Sequence, residues 1–229
     1  MRLVLFSIFS LLIVSCQDSG FVLRTSDLTN IKFSNLITEN NEFNVLSEEY
    51  IFNGGGVLAA DFDNDGLRDL FFTGNQVPNK LYKNLGGLKF KDITAQAMVA
   101  MEDQWSTGST YADVNGDGYL DLFVCAAMYE NNRTNKLFIN LGPQSDGSIV
   151  FKDQTNIYGL ASVKNSMGAV FFDYNKDGYQ DLYIINNEQG QSLPMRYRDK
   201  VLDGSALSND QLFKNNGDGT FSDVTIEAG

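Results

Sequence analysis

Short apolar runs alternate with polar, glycine-rich segments along most of this chain of 229 residues. The runs are rich in Val, Ile, Phe and Tyr and are bounded by Gly, Asn and Asp, a pattern typical of β-strands rather than helices. The pattern also repeats, because each of three units begins with a glycine and a strand that enters an aspartate-rich loop. The glycines are Gly56, Gly108 and Gly168, and the loops begin at Asp61, Asp113 and Asp173.

A second strand-like run follows each loop, and two further blocks complete the unit. The third blocks are Leu81–Gly86, Leu137–Gly142 and Leu212–Gly217, and the fourth blocks are Phe90–Thr94, Phe151–Thr155 and Phe221–Thr225. Each unit contains four strand-like segments, and the loops begin 52 and then 60 residues apart. This pattern predicts an all-β fold. We expect a β-propeller of four-stranded blades with about three blades present. We assign residues 53–104 to blade 1, 105–164 to blade 2 and 165–229 to blade 3.

The aspartate-rich loops are nine residues long and share one pattern of side chains. Positions 1, 5 and 9 are Asp, position 3 is Asp or Asn, and position 6 is Gly. Calcium takes six to eight oxygen ligands, and Gly at position 6 permits the sharp turn that folds such a loop around one ion. We therefore predict about three Ca²⁺ ions, one per loop, bound by side chains at positions 1, 3, 5 and 9 and by the backbone carbonyl at position 7. The predicted ligands are Asp61, Asp63, Asp65, Leu67 and Asp69 in loop 1, Asp113, Asn115, Asp117, Tyr119 and Asp121 in loop 2, and Asp173, Asn175, Asp177, Tyr179 and Asp181 in loop 3.

Two other interpretations of these loops lead to different chemistry. An EF-hand loop also begins with alternating acidic residues, but it needs a bidentate Glu at position 12 and flanking helices. Position 12 is Phe72, Val124 or Ile184 here, and strand-like runs follow the loops, so the EF-hand is excluded. An Asx-rich β-turn without metal explains any single loop. Three copies in the same register favour the metal site.

The repeat resembles the FG-GAP or VCBS repeat family, whose best-known relative is the calcium-bearing β-propeller of integrin α subunits. The runs Asn53–Gly56, Phe72–Asn75 and Asn215–Phe221 are most similar to ASPIC/UnbV-type repeat proteins of bacterial surfaces. The resemblance covers roughly residues 21–229. It implies that each aspartate loop joins the first two strands of a blade and holds calcium.

The amino terminus predicts export and a lipid anchor. Arg2 precedes an apolar run from Leu3 to Val14, which is too short to span a bilayer and is typical of a signal peptide. The run ends in Leu12–Cys16, which resembles a bacterial lipobox. We expect a signal peptide over residues 1–15, lipidation of Cys16 and a tether over residues 16–20, with attachment at the bacterial outer membrane or cell surface. An ordinary signal peptide with an incidental cysteine is the alternative.

The amino-acid composition limits the classes of binding partner and of catalytic site that this chain can have. The loops contain ten of the 29 acidic residues, so three bound divalent cations would halve the net charge of −12. This acidity argues against nucleic acid and against contact with membranes other than through the lipid anchor. The chain has no histidine, which excludes Ser-His-Asp and Cys-His catalysis and zinc sites built on histidine. Only Cys125 remains after Cys16, so no disulfide is expected within the mature chain.

The favoured function is that of a calcium-binding cell-surface module, non-catalytic, acting in adhesion or in binding an extracellular protein or polysaccharide. The alternatives are a propeller-type carbohydrate-active enzyme, namely a polysaccharide lyase or hydrolase, and a scaffold for a downstream domain. The insertion at about residues 187–209 is a candidate binding loop, and a solvated loop without a ligand explains it equally well. It contains Met195, Arg196, Tyr197 and Arg198.

Three blades do not close a propeller, for which at least four are expected. We expect the missing blades downstream in the same polypeptide, with closure by association of chains as the alternative. Residues 21–52 are predicted to form one or more amino-terminal strands. Phe21–Thr25 resemble the fourth block without its Asp and are candidates for a strand that closes the ring.

Overall fold

The structure is a computed structural model that describes residues 20–48, 50–128, 132–187, 201 and 203–228. These residues form three four-stranded antiparallel sheets and two helical segments of four residues each. The elements are α1 (Ser26–Thr29), β1 (Val57–Ala60), β2 (Asp69–Phe72), β3 (Lys80–Asn84), β4 (Phe90–Asp92), α2 (Thr94–Ala97), β5 (Trp105–Ala112), β6 (Asp121–Ala127), β7 (Lys136–Pro143), β8 (Ile149–Asp153), β9 (Ser166–Phe172), β10 (Asp181–Asn186), β11 (Gln211–Asn215) and β12 (Phe221–Asp223).

Each sheet takes its four strands in sequence order, so hydrogen-bonded neighbours are also neighbours along the chain. Strands β1–β4 form blade 1, β5–β8 form blade 2 and β9–β12 form blade 3. An aspartate loop joins the first and second strands of each blade, and Ala112 pairs with Asp121 where loop 2 closes. The prediction of an all-β partial propeller with about three four-stranded blades is confirmed.

The hydrophobic core lies between successive blades. Side chains alternate along a strand, so a blade with a neighbour on each side needs apolar residues on both faces. In β6, Leu122 and Val124 pack with the core between blades 1 and 2, whereas Phe123 and Cys125 pack with the core between blades 2 and 3. Every residue of β6 is consequently buried, which explains the apolar run from Leu122 to Ala127.

The first strands of the blades approach one another closely at their glycines. A Cβ atom built on Gly108 would lie 2.8 Å from the Gly168 Cα and 2.8 Å from the Met167 carbonyl oxygen. A Cβ built on Gly56 would lie 3.1 Å from the Thr107 carbonyl oxygen. The repeated glycine therefore allows backbone-to-backbone contact between blades.

The fourth block of each repeat is anchored to the third strand by an Asp and a Thr. In blade 1, the Asp92 carboxylate accepts hydrogen bonds from the Thr94 backbone N–H at 3.0 Å and hydroxyl at 2.6 Å. The Thr94 hydroxyl oxygen accepts a hydrogen bond from the Leu81 N–H at 2.9 Å. The same contacts recur at the matching residues of blade 2 (Asp153, Thr155 and Leu137) and of blade 3 (Asp223, Thr225 and Leu212).

The expectation of strands in residues 21–52 needs correction. The described part, residues 21–48 and 50–52, contains the short helix α1 and no strand. Phe21 and Leu23 are fully exposed, and Phe21–Thr25 pair with no sheet. The physical reason lies at Leu23, which stands where a fourth block has its anchoring Asp. Thr25 instead begins a helical turn, because its carbonyl accepts hydrogen bonds from residues of α1.

Residues 31–38 cover the side of blade 1 that faces away from blade 2. Their exposure alternates along the chain, as in an extended segment on a surface. The Phe33 and Phe72 rings stack with centroids 5.1 Å apart, and the Lys32 N–H donates to the Tyr82 hydroxyl at 3.2 Å. We call residues 31–38 the amino-terminal cover.

The signal peptide over residues 1–15, Cys16 and nearly all of the tether lie outside the described residues, as do Met195, Arg196, Tyr197 and Arg198. Within the part that the structure describes, no helix has the length and apolar character needed to cross a membrane.

Alanine variants of Gly108 and Gly168 form a matched pair that tests the close approach between blades 2 and 3. Gly108→Ala should lower the free energy of unfolding by about 1–3 kcal/mol, because the added methyl group overlaps the backbone of β9. Gly168→Ala should change it by less than about 1 kcal/mol, because a Cβ there meets no atom within 4 Å. Urea unfolding of the two variants measures the difference. Equal losses in both would contradict the proposed contact.

Candidate metal centre

The aspartate at position 1 organises each loop through the backbone. In loop 1, the Asp61 carboxylate accepts hydrogen bonds from the Asp65 N–H at 3.1 Å and from the Gly66 N–H at 2.9 Å. Gly66 has a φ of 85°, in the left-handed region that favours glycine. Asp113 in loop 2 and Asp173 in loop 3 make the same two contacts. The three loops therefore share one turn that begins on the first aspartate.

The aspartate at position 9 is buried and joins the loop to the third strand. The Asp121 carboxylate accepts hydrogen bonds from the Val114 N–H at 2.9 Å and from the Asn140 N–H at 2.8 Å. Burial raises the pKa of Asp121 to about 7, against the lowering effect of these two hydrogen bonds. Asp69 and Asp181 accept the two matching bonds, and burial raises the pKa of Asp69 to about 6.

We call Asp69, Asp121 and Asp181 the anchor aspartates. Each anchor oxygen accepts one backbone hydrogen bond, and a carboxylate oxygen has a second lone pair for another partner. Metal ligation by the anchor aspartates, and by the position 7 carbonyls of Leu67, Tyr119 and Tyr179, stays a prediction.

Loop 1 gathers three carboxylates at one point. One oxygen from each of Asp61, Asp63 and Asp65 can be chosen so that all three lie within 4.8 Å of one another. The Asp63 side chain is only 6% exposed, and its Oδ1 is buried without a hydrogen-bond partner in the part of the chain described. An unpaired buried carboxylate oxygen is costly, and a hard cation is the partner that an all-oxygen cluster suits. The residues of loop 1 therefore fit a calcium-type ion.

Lys83 lies next to the same cluster. Its ammonium group donates a hydrogen bond to Asp63 Oδ2 and lies 3.7 Å from Asp65 Oδ2. The hydrogen bond to Asp63 raises the pKa of Lys83. The lysine thus supplies one positive charge at a point where three carboxylates converge.

Loops 2 and 3 have an asparagine at position 3 and are arranged differently. The Asn115 side-chain amide donates to Asp117 Oδ2 at 2.9 Å, and Asn175 donates in the same way to Asp177 at 2.8 Å. Among the described residues, loop 1 alone brings three carboxylates together. At the position of Lys83, blade 2 has Ile139 and blade 3 has Lys214, whose ammonium lies 3.9 Å from Asp177.

An asparagine in the third strand of blade 2 and of blade 3 connects that blade to the one before it. The Asn140 amide donates to the Phe62 carbonyl of loop 1 at 2.8 Å, and the Asn215 amide donates to the Val114 carbonyl of loop 2 at 3.0 Å. Phe62 and Val114 both occupy position 2 of their loops. This asparagine recurs in the third block of the sequence repeat, but its role could not be predicted, because the bonded residues are 78 and 101 positions apart.

Trp105 and Cys125 are both buried in the core. Trp105 is 2% exposed and lies edge-on to Phe43 with ring centroids 5.6 Å apart, so its face is not a platform for a sugar. Cys125 is fully buried, and burial raises the pKa of its thiol. A thiol without access to solvent is a packing residue rather than a nucleophile.

The structural role of the anchor aspartates can be tested in the absence of metal. With a chelator present, Asp121→Asn should lower the free energy of unfolding by about 2–3 kcal/mol, because one backbone N–H then faces an amide NH₂ group. Asp27→Asn, at an exposed position in α1, should stay within about 0.5 kcal/mol. Urea unfolding followed by circular dichroism measures both. An Asp121 variant as stable as the Asp27 variant would exclude the anchor role.

Comparison with known proteins identifies the repeat. The model of the FG-GAP-like repeat matches residues 61–124 and 113–184, which together make up more than half of the chain. Cartilage acidic protein 1 of Homo sapiens is 28% identical over 138 residues, which cover 59% of this chain and 20% of that protein. The T-cell immunomodulatory protein homolog of Plasmodium yoelii yoelii is 27% identical over 197 residues, which cover 74% of this chain and 26% of that protein.

The chain therefore spans about a fifth to a quarter of the length of these relatives. Both family matches include two complete aspartate loops and the second strands that follow them. Those loops join the first two strands of four-stranded antiparallel blades, as the repeat requires. On the family match, and in agreement with this architecture, the chain belongs to the FG-GAP-like repeat family.

Proposed function

We propose that this chain is a calcium-binding module of the cell surface that binds an extracellular protein or polysaccharide without catalysis. The observation that carries the metal part is the buried, unpartnered Asp63 Oδ1 within a cluster of three carboxylates. A bound Ca²⁺ would supply the positive charge that these carboxylates lack. About three ions are proposed, one for each loop.

The proposed ligands follow the loop pattern. In loop 1, Asp61, Asp63 and Asp65 would bind through carboxylate oxygens, with the Leu67 carbonyl and Asp69 completing the shell. In loops 2 and 3 an asparagine oxygen would replace the second carboxylate, at Asn115 and Asn175. Each of these amides now donates to the neighbouring aspartate, and only its oxygen can bind a cation.

The anchor aspartates explain how an ion in a loop would stabilise more than the loop. Asp121 holds both the start of loop 2 and Asn140 in the third strand. Asn140 in turn donates to the Phe62 carbonyl in blade 1. A loop held in one shape therefore fixes the third strand of its own blade and a contact with the blade before it.

Lys83 provides a chemical difference between the loops. Its ammonium lies on Asp63, where a divalent ion would be repelled by it, and blade 2 has Ile139 in its place. Loop 2 is thus free of this competing charge, although it has one carboxylate fewer at position 3. Lysine is flexible and can turn toward solvent, since its side chain is already 24% exposed.

Calcium should raise the melting temperature of the mature protein relative to chelated protein. Each occupied site contributes about 2.7 kcal/mol when free calcium is 100 times its dissociation constant. Asp63→Ala, which removes both oxygens, should reduce the calcium-dependent shift, whereas Asp63→Asn, which gives loop 1 the asparagine of loops 2 and 3, should keep most of it; in the chelated protein Asp63→Ala removes the contact with Lys83 and no backbone hydrogen bond. Differential scanning calorimetry with calcium and with chelator measures these shifts.

Asp27→Ala is the matched control, since this exposed residue lies outside the loops, and its calcium-dependent shift should equal that of the unmodified protein. Lys83→Met should enlarge the shift, because it removes the competing ammonium and keeps every carboxylate. A melting temperature that calcium leaves unchanged in the unmodified protein would refute the metal part of the proposal.

The surface location rests on the amino-terminal sequence. We propose that Cys16 carries a lipid and that the propeller is attached to the membrane only through it. Cys16→Ser should move the protein from the membrane fraction to the soluble fraction of the bacterial host and abolish its labelling by a fatty-acid analogue. Cys125→Ala, which alters a buried cysteine, should keep both properties.

Ligand binding is tested separately on calcium-loaded soluble protein. A glycan array and cross-linking to surface proteins distinguish a polysaccharide from a protein ligand, and the bound material should be recovered intact. Release of shortened or unsaturated sugar products from a bound polysaccharide would favour the carbohydrate-active enzyme instead.

A further inference from the structure

The first two aspartate loops contact each other directly. The Asn64 side-chain amide in loop 1 donates a hydrogen bond to the Gly118 carbonyl in loop 2 at 3.0 Å, although the two residues are 54 positions apart. They occupy positions 4 and 6 of their loops. Loops 1 and 2 are therefore joined near the middle of each loop, in addition to the buried hydrogen bond from Asn140 to the Phe62 carbonyl.

Asn64 lies between two of the proposed calcium ligands. Asp63 precedes it and Asp65 follows it, and both belong to the cluster of three carboxylates. Asn64 has a φ of 57°, a left-handed conformation that asparagine adopts more readily than most residues. An ion that draws Asp63 and Asp65 together would fix the backbone on both sides of Asn64, and with it the position of the Asn64 amide.

Gly118 lies equally close to the proposed site in loop 2. Its N–H donates to Asp113 Oδ2 at 2.8 Å, and the next N–H, that of Tyr119, donates to Asp117 Oδ1 at 2.9 Å. The Gly118 carbonyl and the Tyr119 N–H belong to one peptide unit, so Asn64 and Asp117 bind its two ends. Hydrogen bonds in such a chain polarise and strengthen one another. The Asn64 amide therefore acts on the peptide that holds Asp117 and that leads into the proposed carbonyl ligand at Tyr119.

Loops 2 and 3, both of which the structure describes in full, lack this second contact. Position 4 of loop 2 is Gly116, which has no side chain to donate, and a Cβ atom built there would meet nothing within 4 Å. The Asn215 amide joins these loops through the Val114 carbonyl, just as Asn140 joins loops 1 and 2. Gly116 has a φ of 75°, so its backbone already has the left-handed conformation of Asn64. The two pairs of loops thus differ in the hydrogen bond from position 4.

We propose that Asn64 is a positioning residue that couples the calcium sites of loops 1 and 2, so that an ion in either loop raises the affinity of the other loop for calcium. The coupling rests on the proposed function, because it needs calcium in both loops. It is reciprocal, since two coupled sites must change each other's affinity by the same factor. Loops 2 and 3 should show a smaller factor.

The size of the effect follows from the surroundings of this hydrogen bond. Asn64 is exposed, so water competes for its amide and the bond is worth less than a buried one. One such bond gives a coupling of about three- to tenfold in affinity. Repulsion between the two ions acts in the opposite direction and is screened by salt, so the measurement is made at about 0.15 M ionic strength.

The test is a cycle of calcium-binding constants measured by titration calorimetry on the mature chain with Cys16→Ser. Every variant of the first cycle carries Asn175→Ala, which removes a side-chain ligand from loop 3. Asp63→Ala then leaves loop 2 as the intact site, and Asn115→Ala leaves loop 1. The coupling factor is the overall constant for both ions divided by the product of the two single-site constants, and we expect about three- to tenfold.

Two variants at position 4 identify the hydrogen bond as the cause. Asn64→Gly removes the amide and keeps a residue that adopts the left-handed conformation. It should lower the factor to that of loops 2 and 3 and leave the single-site constant of loop 1 nearly unchanged, whereas a role confined to loop 1 would lower that constant. Gly116→Asn supplies the missing amide, and in a second cycle with Asp63→Ala it should raise the factor between loops 2 and 3.

The failure of the coupling and the failure of the proposed function give different results. Calcium binding in both single-site chains without coupling, or a factor that Asn64→Gly leaves unchanged, would overturn the coupling and leave the proposed function standing. Absence of calcium from every variant and from the unmodified mature chain would refute the proposed function, and the coupling with it.

Discussion

The fold depends on one buried interaction, in which the carboxylate of an anchor aspartate accepts hydrogen bonds from two distant backbone N–H groups. A carboxylate can accept several such bonds, and burial makes each of them strong because water does not compete. Asp121 links the start of loop 2 to the third strand of blade 2. Without that link, the loop and the strand would be joined only through the sheet, and Asn140 would lose its position against blade 1.

This interaction also explains why the acidic residues of one loop serve two purposes. Asp113 and Asp121 satisfy backbone donors and shape the turn. Asp63 in loop 1 satisfies no backbone donor and leaves one oxygen unpaired. Asp63 is paired with Lys83 through its other oxygen, and its unpaired oxygen beside two further carboxylates fits the proposed metal ion. The first and ninth aspartates of each loop therefore hold the backbone and are also proposed as ligands, whereas Asp63 accepts no backbone hydrogen bond.

Much of the architecture could be predicted from the sequence because it repeats. Three copies of one strand and loop pattern indicated the blades, the loops and their order, since local periodicity encodes strands and turns. The contact between Asn140 and Phe62 could not be predicted in this way, because it joins residues that are distant in sequence. The strand expected at Phe21–Thr25 shows that a partial match to the repeat pattern does not suffice to predict a strand. Its Phe and Thr match the fourth block, but Leu23 cannot provide the hydrogen bonds of the missing Asp, and the segment does not join a sheet.

The central proposal is that a calcium ion in each of the three loops helps to hold its blade together. Native mass spectrometry of the soluble mature protein, titrated with calcium, counts the bound ions directly. Three calcium ions should be bound at saturation, and two after Asp63→Ala, which removes a side-chain oxygen ligand from loop 1. A protein that remains free of calcium at millimolar concentrations, while keeping its β-sheet circular dichroism, would contradict it.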